Sequence, residues 1–407
     1  MNSDNLQSKL ARFGDLIAVG SRHDSEDKTP ERYIRMAQVL GGELHSGFAG
    51  SYCLVRTTCR SDYIHGQGML AESCQQSDIP VSAFTLLDKP GSVDISSLLF
   101  LDTETTGLGG TGAVAFLVGC GSYVDGVFEV RQYLIPDYSD ETAMLEALQE
   151  EFSGDRTIVT YNGASFDLPL LRGRMIVNRV ARDIDIARHI DLLHATRRLF
   201  RRRLSDCTLV NVERELLGFF REDDIPGYLI PSIYFDWLSE QRLDGMNAVL
   251  QHNRFDIVSL CFLVGLIGQT FQTGGAILDR IEDLHSLARV YNHRKETDRV
   301  VDLCRQVDER SGECMPEDII LFHSLAFKKA DEFRSAVDLW EKLSLSSSKE
   351  GYRANLELAK FYEHKAKDFT RALNHARLAE KICPYGRNHV PYLRKRLNRI
   401  ASKIARE

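Results

Sequence analysis

Leu98-Leu99-Phe100-Leu101-Asp102-Thr103-Glu104 is the stretch that decides the fold, because an apolar run leads directly into two acidic residues. The apolar run predicts a buried strand. Side chains alternate along a strand, so Asp102 and Glu104 are expected on one face. Two carboxylates on a core strand repel each other and lose solvation unless a cation lies between them. The stretch therefore predicts a core strand that ends at a site for a divalent cation.

Two further motifs carry acidic residues in similar settings. Tyr161-Asn162-Gly163-Ala164-Ser165-Phe166-Asp167 begins at the end of the apolar segment 157–161, which predicts another strand. His252-Asn253-Arg254-Phe255-Asp256 falls in a segment with a helical pattern over about 246–271. His252 and Asp256 are four residues apart, so both side chains are expected on one face of that helix.

Residues 96–272 alternate predicted strands with predicted helices. Asp125-Gly126, between two apolar runs, is typical of a hairpin turn. The predicted elements are strands at 98–102, 113–124, 127–135 and 157–161 and helices at 139–152, 166–178 and 246–271. This order predicts an α/β domain in which helices flank a mixed sheet.

Residues 273–407 have an almost entirely helical pattern that partly repeats. Three Leu-Ala pairs are each predicted to open a helical stretch, at 287–288, 325–326 and 358–359. A second helix is predicted after each, at 298–307, 333–343 and 369–382. The spacing resembles that of tetratricopeptide helix–turn–helix repeats, about 34 residues. A repeat array would offer a concave surface to a protein partner, and a plain helical cap on the preceding domain is the alternative.

The remaining sequence sets broader limits. Residues 1–95 are irregular in pattern and are predicted to form a small N-terminal extension packed on the α/β domain. The net charge of −7 argues against a protein coated in basic surface. Nine cysteines without zinc-ligand spacing predict reduced thiols. Residues 1–20 lack a sustained apolar segment and 257–267 are too short to cross a bilayer, so we expect a cytoplasmic protein with no membrane partner.

Together, the three acidic motifs resemble the signature of the DEDD family of 3′–5′ exonucleases, which have a ribonuclease H-like fold. Within that superfamily the chain most resembles the bacterial YprB-like proteins, which often carry helical repeats. His189-Ile190-Asp191-Leu192-Leu193 and Asp224-Ile225-Pro226-Gly227 add to this resemblance, which covers about 96–272. It implies a ribonuclease H-like mixed sheet, followed over 273–407 by an all-α, tetratricopeptide-like domain.

The resemblance implies four metal ligands, which are Asp102, Glu104, Asp167 and Asp256. Carboxylates without cysteine suit a hard cation, Mg²⁺ or Mn²⁺. Two such ions about 4 Å apart can activate an attacking water and neutralise the leaving oxygen of a phosphodiester. The alternative for Asp167 is a helix cap, because a helix is predicted to follow it.

His252 is the candidate general base, since imidazole exchanges protons near neutral pH. The sequence departs here from the family pattern. In the histidine subgroup of DEDD exonucleases the base lies five residues before the last aspartate, and in the tyrosine subgroup a tyrosine lies four residues before it. This chain has a histidine at the tyrosine spacing. The alternative is a histidine that binds the substrate phosphate or a neighbouring carboxylate.

A locally basic segment accompanies the motifs. Residues 156–203 contain eleven Arg and no Lys, against four Asp and no Glu. Arginine binds phosphate through a bidentate fork, so the segment predicts a nucleic-acid groove, with Arg172, Arg174 and Asn162 as substrate-binding residues. Salt bridges on a solvated helix are the alternative. Tyr161 and Phe166 either stack on a terminal base or belong to the core.

The glycines after the first strand do not predict a nucleotide-binding loop. Gly107, Gly109, Gly110 and Gly112 lack the Gly-Lys-Ser/Thr and Gly-x-Gly-x-x-Gly patterns, and a strand rather than a helix is predicted next. A flexible turn that lets a substrate strand approach is the simpler interpretation.

The resulting hypothesis is a metal-dependent nuclease, a 3′–5′ exonuclease that trims single-stranded DNA or RNA. The alternative is a non-catalytic adaptor that binds nucleic acid through the ribonuclease H-like domain and a protein partner through the repeats. Endonucleolytic cutting uses the same metals and stays open.

Overall fold

The strand that contains Asp102 lies in the interior of a mixed sheet. The computed structural model describes residues 30–73, 78–87, 89–107, 112–180, 184, 188–311, 315–384 and 390–406, so the prediction for residues 1–20 falls outside it. The described strands are β1 (Glu43–Gly47), β2 (Gly50–Cys59), β3 (Ile64–His65), β4 (Gly68–Met69), β5 (Ile79–Pro80), β6 (Ser92–Val93), β7 (Leu98–Thr105), β8 (Ala115–Val124), β9 (Val127–Leu134), β10 (Thr157–Thr160) and β11 (His189–Asp191).

The described α-helices lie on both faces of the sheet and fill the C-terminal part of the chain. In order they are α1 (Glu31–Leu40), α2 (Leu70–Ser73), α3 (Glu141–Glu151), α4 (Asp167–Val177), α5 (Leu192–Phe200), α6 (Leu209–Val212), α7 (Ile230–Glu240), α8 (Met246–Gln272), α9 (Ile281–His293), α10 (Thr297–Ser311), α11 (Glu317–Lys329), α12 (Phe333–Ser344), α13 (Lys349–Phe361), α14 (Phe369–Lys381) and α15 (Val390–Ile404).

Seven strands form the main sheet in the described residues, in the order β1-β2-β9-β8-β7-β10-β11. β7, β8 and β9 are antiparallel neighbours, and β10 runs parallel to both β7 and β11. The predicted hairpin is confirmed, because Asp125 and Gly126 have φ angles of 49° and 80°, as a tight turn with two left-handed residues requires. A mixed sheet with flanking helices, followed by helices alone, confirms the predicted fold class.

The segment before residue 96 is part of this sheet. β2 pairs antiparallel with β9, and β1 forms the edge beyond it. Cys53, Leu54 and Val55 are all buried, so β2 contributes to the core on both faces. The predicted N-terminal extension therefore supplies two strands rather than only packing on the domain. Whether residues 96 and 273 separate independently folding units stays a prediction.

The long helix α8 is the main support of one sheet face. It contains a window apolar enough to cross a membrane by length and composition, yet 78% of that window is buried inside the protein. The apolar run at 257–267 is thus the centre of a 27-residue helix. A core helix passes the same test as a membrane span, so this is weak evidence for a membrane.

The C-terminal helices pack as consecutive pairs: α9 with α10, α11 with α12, α13 with α14, and α15 on α14. The predicted second helices are confirmed, and they begin at the regularly spaced Thr297, Phe333 and Phe369. The prediction that Leu-Ala pairs open the first helices is wrong. The pairs lie at the midpoint of α9 and in the C-terminal half of α11 and α13, where Ala288, Ala326 and Ala359 are buried.

The sheet and the helical pairs share one hydrophobic core. A single cluster of buried residues runs from Phe100 on β7 through Leu260 on α8 and Leu284 on α9 to Trp340 on α12. Arg203, just after α5, lies 3.0 Å from the carboxylate of Asp283 on α9. The C-terminal helices are therefore packed directly against the domain that carries the acidic motifs.

Candidate metal centre

The side chains of Asp102 and Glu104 continue the alternating pattern of β7, on the sheet face that packs against α8. Leu98 and Phe100 pack in the core that includes α8, whereas Leu99 and Leu101 pack on the other face of the sheet. Asp102 continues the first series, and its Oδ2 accepts a hydrogen bond of 2.9 Å from Nδ2 of Asn253 on α8. The prediction that both acidic side chains share a face agrees with this arrangement.

Two glycines on β8 allow α8 to approach the sheet closely. A Cβ atom at Gly119 would lie 2.2 Å from Oδ1 of Asn253, and one at Gly121 would lie 2.4 Å from Cγ2 of Ile257. Real side chains never come this close, so glycine is required at both positions for this packing. Gly119 is also the cross-strand partner of Asp102. The close approach brings the side chains of α8 within reach of the end of β7.

Glu104, His252 and Asp256 converge. One potential ligand atom from each lies within 4.8 Å of the others. Four residues apart on α8, His252 and Asp256 share a face as predicted, with Nε2 and Oδ2 3.7 Å apart. Three side chains from a strand and a helix therefore point into one space.

Asp102 and Asp167 are close enough to this group for their charges to interact with it. Burial is the main cause that raises the pKa of Asp102 well above its usual range, and three neighbouring carboxylates raise it further, those of Asp256, Glu104 and Asp167. The pKa of Glu104 is raised in the same way, by burial and then by Asp256 and Asp167. When charged, Asp102 and Glu104 are thus repelled by each other and by the other two predicted ligands.

Asp167 lies at the start of α4, next to the end of β7. Burial raises its pKa to about 6, although the hydroxyl of Thr103 donates a hydrogen bond of 2.5 Å to its Oδ1 and acts in the opposite direction. The predicted helix α4 is confirmed, but its N-cap, Phe166, makes no side-chain capping hydrogen bond. Asp167 therefore lies in the first turn of α4, and its side chain points toward β7.

Asp191 fixes the loop that carries the second motif. Its carboxylate accepts the backbone N–H of Asn162 at 2.8 Å and that of Ala164 at 3.2 Å. Asn162 has a φ of 68°, so the chain turns sharply here. The motif at 189–193, quoted above only for its resemblance, thus has a physical role: it holds the loop that leads to Asp167.

His252 is held by a second carboxylate. Its Nδ1 lies 2.9 Å from Oδ1 of Asp224. A carboxylate accepts hydrogen bonds, so Nδ1 carries the proton and Nε2 faces Asp256. The expectation that His252 contacts a neighbouring carboxylate therefore holds, and it is compatible with a role as base. Asp224 comes from the Asp-Ile-Pro-Gly motif that contributed only to the resemblance.

Arg221 is the site residue that sequence reasoning missed. Its side chain is only 3% exposed, and it forms ion pairs with Glu213, Asp224 and Asp256. Two of its nitrogens bind the two oxygens of the buried Glu213 in a fork, at 2.6 and 2.7 Å. Nothing in the local sequence of Arg221 distinguishes it from a surface arginine. It supplies positive charge beside Asp256, among carboxylates that otherwise repel.

The donor set fits a hard divalent cation. Oxygens predominate, one imidazole nitrogen is present, and no thiol belongs to the group of described residues that converges here. Burial and then mutual repulsion raise the pKa values of Asp102 and Glu104, and positive charge between these carboxylates would oppose both effects. Mg²⁺ and Mn²⁺ both suit such a set.

Several of the predicted basic residues have protein partners. Arg174 on α4 forms a bidentate ion pair with Glu141 on α3. Arg202 pairs with Asp318 on α11 at 2.9 Å, and Arg198 donates to the backbone oxygen of Phe84. These three arginines thus bind other parts of the protein, and a substrate contact by Arg174 stays a prediction. A substrate contact by Arg172, which is half-buried on α4, stays a prediction, as does one by Asn162.

The two aromatic residues of the second motif differ. Tyr161 is half-buried and its hydroxyl donates to the backbone oxygen of Cys207 at 2.8 Å, so it belongs to the core. Phe166 is 55% exposed beside Asp167 and is free to meet a base. Of the four glycines after β7, Gly109 and Gly110 lie outside the described residues.

Comparison with known proteins identifies the family of the chain. Residues 99–267 match the family model described as the RNase_H superfamily. The chain is 33% identical over 345 residues to "Uncharacterized protein YprB" of Bacillus subtilis (strain 168), which is 83% of each protein. The superfamily supports a nuclease that binds nucleic acid and uses divalent metal ions. The chain belongs to the ribonuclease H superfamily, in the same family as YprB.

Proposed function

We propose that this protein is a 3′–5′ exonuclease that hydrolyses single-stranded nucleic acid with two divalent cations. The convergence of Glu104, His252 and Asp256 within 4.8 Å, beside the carboxylates of Asp102 and Asp167, is the observation that carries the proposal. The resemblance of the acidic motifs to DEDD exonucleases supports the polarity and the exonucleolytic mode. We also propose that the protein acts in the cytoplasm.

The four carboxylates would hold the cations, as Asp102, Glu104, Asp167 and Asp256. When bound, such ions stabilise the negative charge that develops on the phosphate and on the attacking and leaving oxygens. The protein contributes the positions of the ligands. Asn253 orients Asp102 through a hydrogen bond of 2.9 Å, Thr103 orients Asp167, and Arg221 pairs with Asp256.

His252 would act as the general base that takes a proton from the attacking water. Asp224 accepts a hydrogen bond from Nδ1–H and fixes the ring, so Nε2 is the basic nitrogen that faces Asp256. Nε2 takes the proton of the attacking water, and the carboxylate of Asp224 stabilises the resulting imidazolium. The exposed ring of Phe166, next to Asp167, offers a surface on which the terminal base can stack.

Cleavage of end-labelled strands tests the proposal. The purified protein is incubated with single-stranded DNA and RNA, each labelled at the 5′ or the 3′ end, with Mg²⁺ or Mn²⁺. We expect a ladder of 5′-labelled products that shortens with time and immediate release of the 3′ label. Asp102→Asn and Asp256→Asn should abolish both. Asp236→Asn, at a half-exposed position on α7, is the matched control and should keep full activity.

The variants also separate the alternatives. Activity that persists in both site variants would mean that another site or a contaminant cuts the strand. Binding without cleavage by the wild-type protein would favour the non-catalytic adaptor. For His252→Gln we expect a rate loss of about 10²- to 10⁴-fold with Mn²⁺ affinity retained. Unchanged turnover in that variant would remove His252 as the base.

A further inference from the structure

The C-terminal helices carry a charge opposite to that of the whole protein. Residues 349–407 contain fifteen Lys and Arg against six Asp and Glu, whereas the chain overall has 51 against 58. The segment that forms α15, residues 390–404, contains no acidic residue. Charge concentrated in this way indicates a surface that attracts a polyanion.

A groove lies on this basic part of the molecule. It has a volume of about 770 Å³ and is lined by α11, α13 and the start of α15. Leu321, Leu325 and Leu356 line its apolar side. Tyr392 on α15 is 51% exposed at its edge. Apolar and aromatic surface open to solvent at this site is suited to flat rings rather than to water alone.

The charged residues of the groove are predominantly cationic. Arg353 is exposed on α13, and Lys360 lies two turns further along the same helix. Glu357 is the acidic residue among those that line the groove, and it is bound by both Lys328 and Lys360. These two lysines compensate its charge, so the groove retains a positive balance.

α15 extends this surface beyond the groove. Lys395 is exposed one turn from Tyr392, on the same side of the helix. Further along, Arg396, Arg399 and Lys403 all bind the one carboxylate of Glu363. Because three cationic side chains share the one carboxylate of Glu363, α15 keeps a net positive charge. The same ion pairs hold α15 against the preceding helices.

We propose that this groove binds single-stranded nucleic acid, with Arg353 and Lys395 contacting phosphates and Tyr392 stacking on a base. Cations spaced along an apolar, aromatic groove are the features by which proteins hold single strands without reading sequence. The proposal rests on nucleic-acid binding by this family and not on cleavage. The groove is a second binding surface, separate from the carboxylates at the end of β7.

Fluorescence anisotropy in EDTA tests the groove without cleavage. The probe is a labelled single strand of about 30 nucleotides, long enough for several binding sites of this type. The full-length double variant Arg353→Glu/Lys395→Glu should bind at least tenfold more weakly than the wild type. Its slope of log affinity against log salt should be smaller by about 1.4, from two lost phosphate contacts at about 0.7 each.

A double variant with the same net charge serves as the control. Arg377→Glu/Lys381→Glu alters two exposed cations on α14 that do not line the groove. It should change affinity less than about threefold at physiological salt, because these two cations do not line the groove and salt screens exposed charges that are not in contact with the strand. Equal losses in the two double variants would overturn the proposal, since general charge rather than the groove would then be responsible.

Substitutions of Tyr392 probe stacking. Tyr392→Leu should weaken binding roughly tenfold, and Tyr392→Phe should bind like the wild type, because the ring is kept. A different result would be tight binding of a polyglutamate peptide that requires Arg353 and Lys395, with no binding of the oligonucleotide. The partner would then be an acidic protein segment, and the proposal would be wrong. Asp102→Asn should bind the strand normally, so that loss of cleavage and loss of groove binding are distinguishable.

Discussion

Replacement of Arg221 by methionine tests whether this guanidinium holds the carboxylates together. The side chain of Arg221 is 3% exposed, and that of Glu213 is 1% exposed. Methionine keeps much of the volume and removes the charge. Glu213 would retain only the hydroxyl of Ser259 as a described hydrogen-bond donor from a side chain, and Asp256 would lose its ion pair.

The expected loss of stability follows from breaking a buried ion pair. Removing one partner destabilises a protein by about 3–5 kcal/mol, because the other charge stays buried and uncompensated. Burial already raises the pKa of Glu213, and Arg221 acts against that rise. Without Arg221 the folded-state pKa rises further. A carboxyl whose folded pKa is raised weakens the fold increasingly as the pH rises above its unfolded value, so the loss should be larger at pH 8 than at pH 5.

Urea unfolding followed by circular dichroism measures the loss. Arg214→Met is the matched control, since Arg214 is 49% exposed and pairs with its half-exposed neighbour Glu215. The control should change stability by less than about 1 kcal/mol. Mn²⁺ should restore part of the stability of Arg221→Met, because a cation that binds the folded protein supplies charge beside Asp256. A loss for Arg221→Met no larger than that of the control would refute the reasoning.

Two further substitutions test other parts of the structure. Gly119→Ala places a Cβ 2.2 Å from Oδ1 of Asn253, so it should cost about 1–3 kcal/mol of stability. It should also weaken Mn²⁺ binding, measured by calorimetry. Gly173→Ala is the control: its Cβ would lie in open space, so it should change neither stability nor Mn²⁺ binding. Burial would raise the pKa of Glu363, but Arg399 and Lys403 outweigh it and lower the pKa to about 2. Because this pKa is lower in the folded than in the unfolded protein, the destabilisation by Glu363→Gln in urea titrations should be constant near neutral pH and shrink as the pH falls from about 4.5 toward 2.

The sequence predicted the parts of the site whose geometry is local. Alternation along β7 is a property of any strand, so the shared face of Asp102 and Glu104 followed from their spacing. The same holds for His252 and Asp256 on α8, where a spacing of four fixes a common face. These pairs need no knowledge of how distant segments pack.

The parts that escaped prediction depend on contacts between distant segments. Arg221 meets Asp256 from 35 residues away in sequence, with α7 and the first part of α8 between them. Arg202 resembled a phosphate ligand because its neighbours are basic, but its partner is Asp318, on a helix far along the chain. Likewise, β2 joins the sheet only by pairing with β9, which its composition does not reveal.

One hydrophobic core joins the sheet to the helical pairs in the described residues. The groove and the carboxylates therefore lie on parts of the protein that pack against each other. A nucleic-acid strand long enough to reach from the groove to the carboxylates would bind at both sites, and its second contact would be intramolecular. A shorter strand would bind at one site alone. The affinity would therefore rise sharply above a minimum strand length, and the protein would retain long strands in preference to short ones.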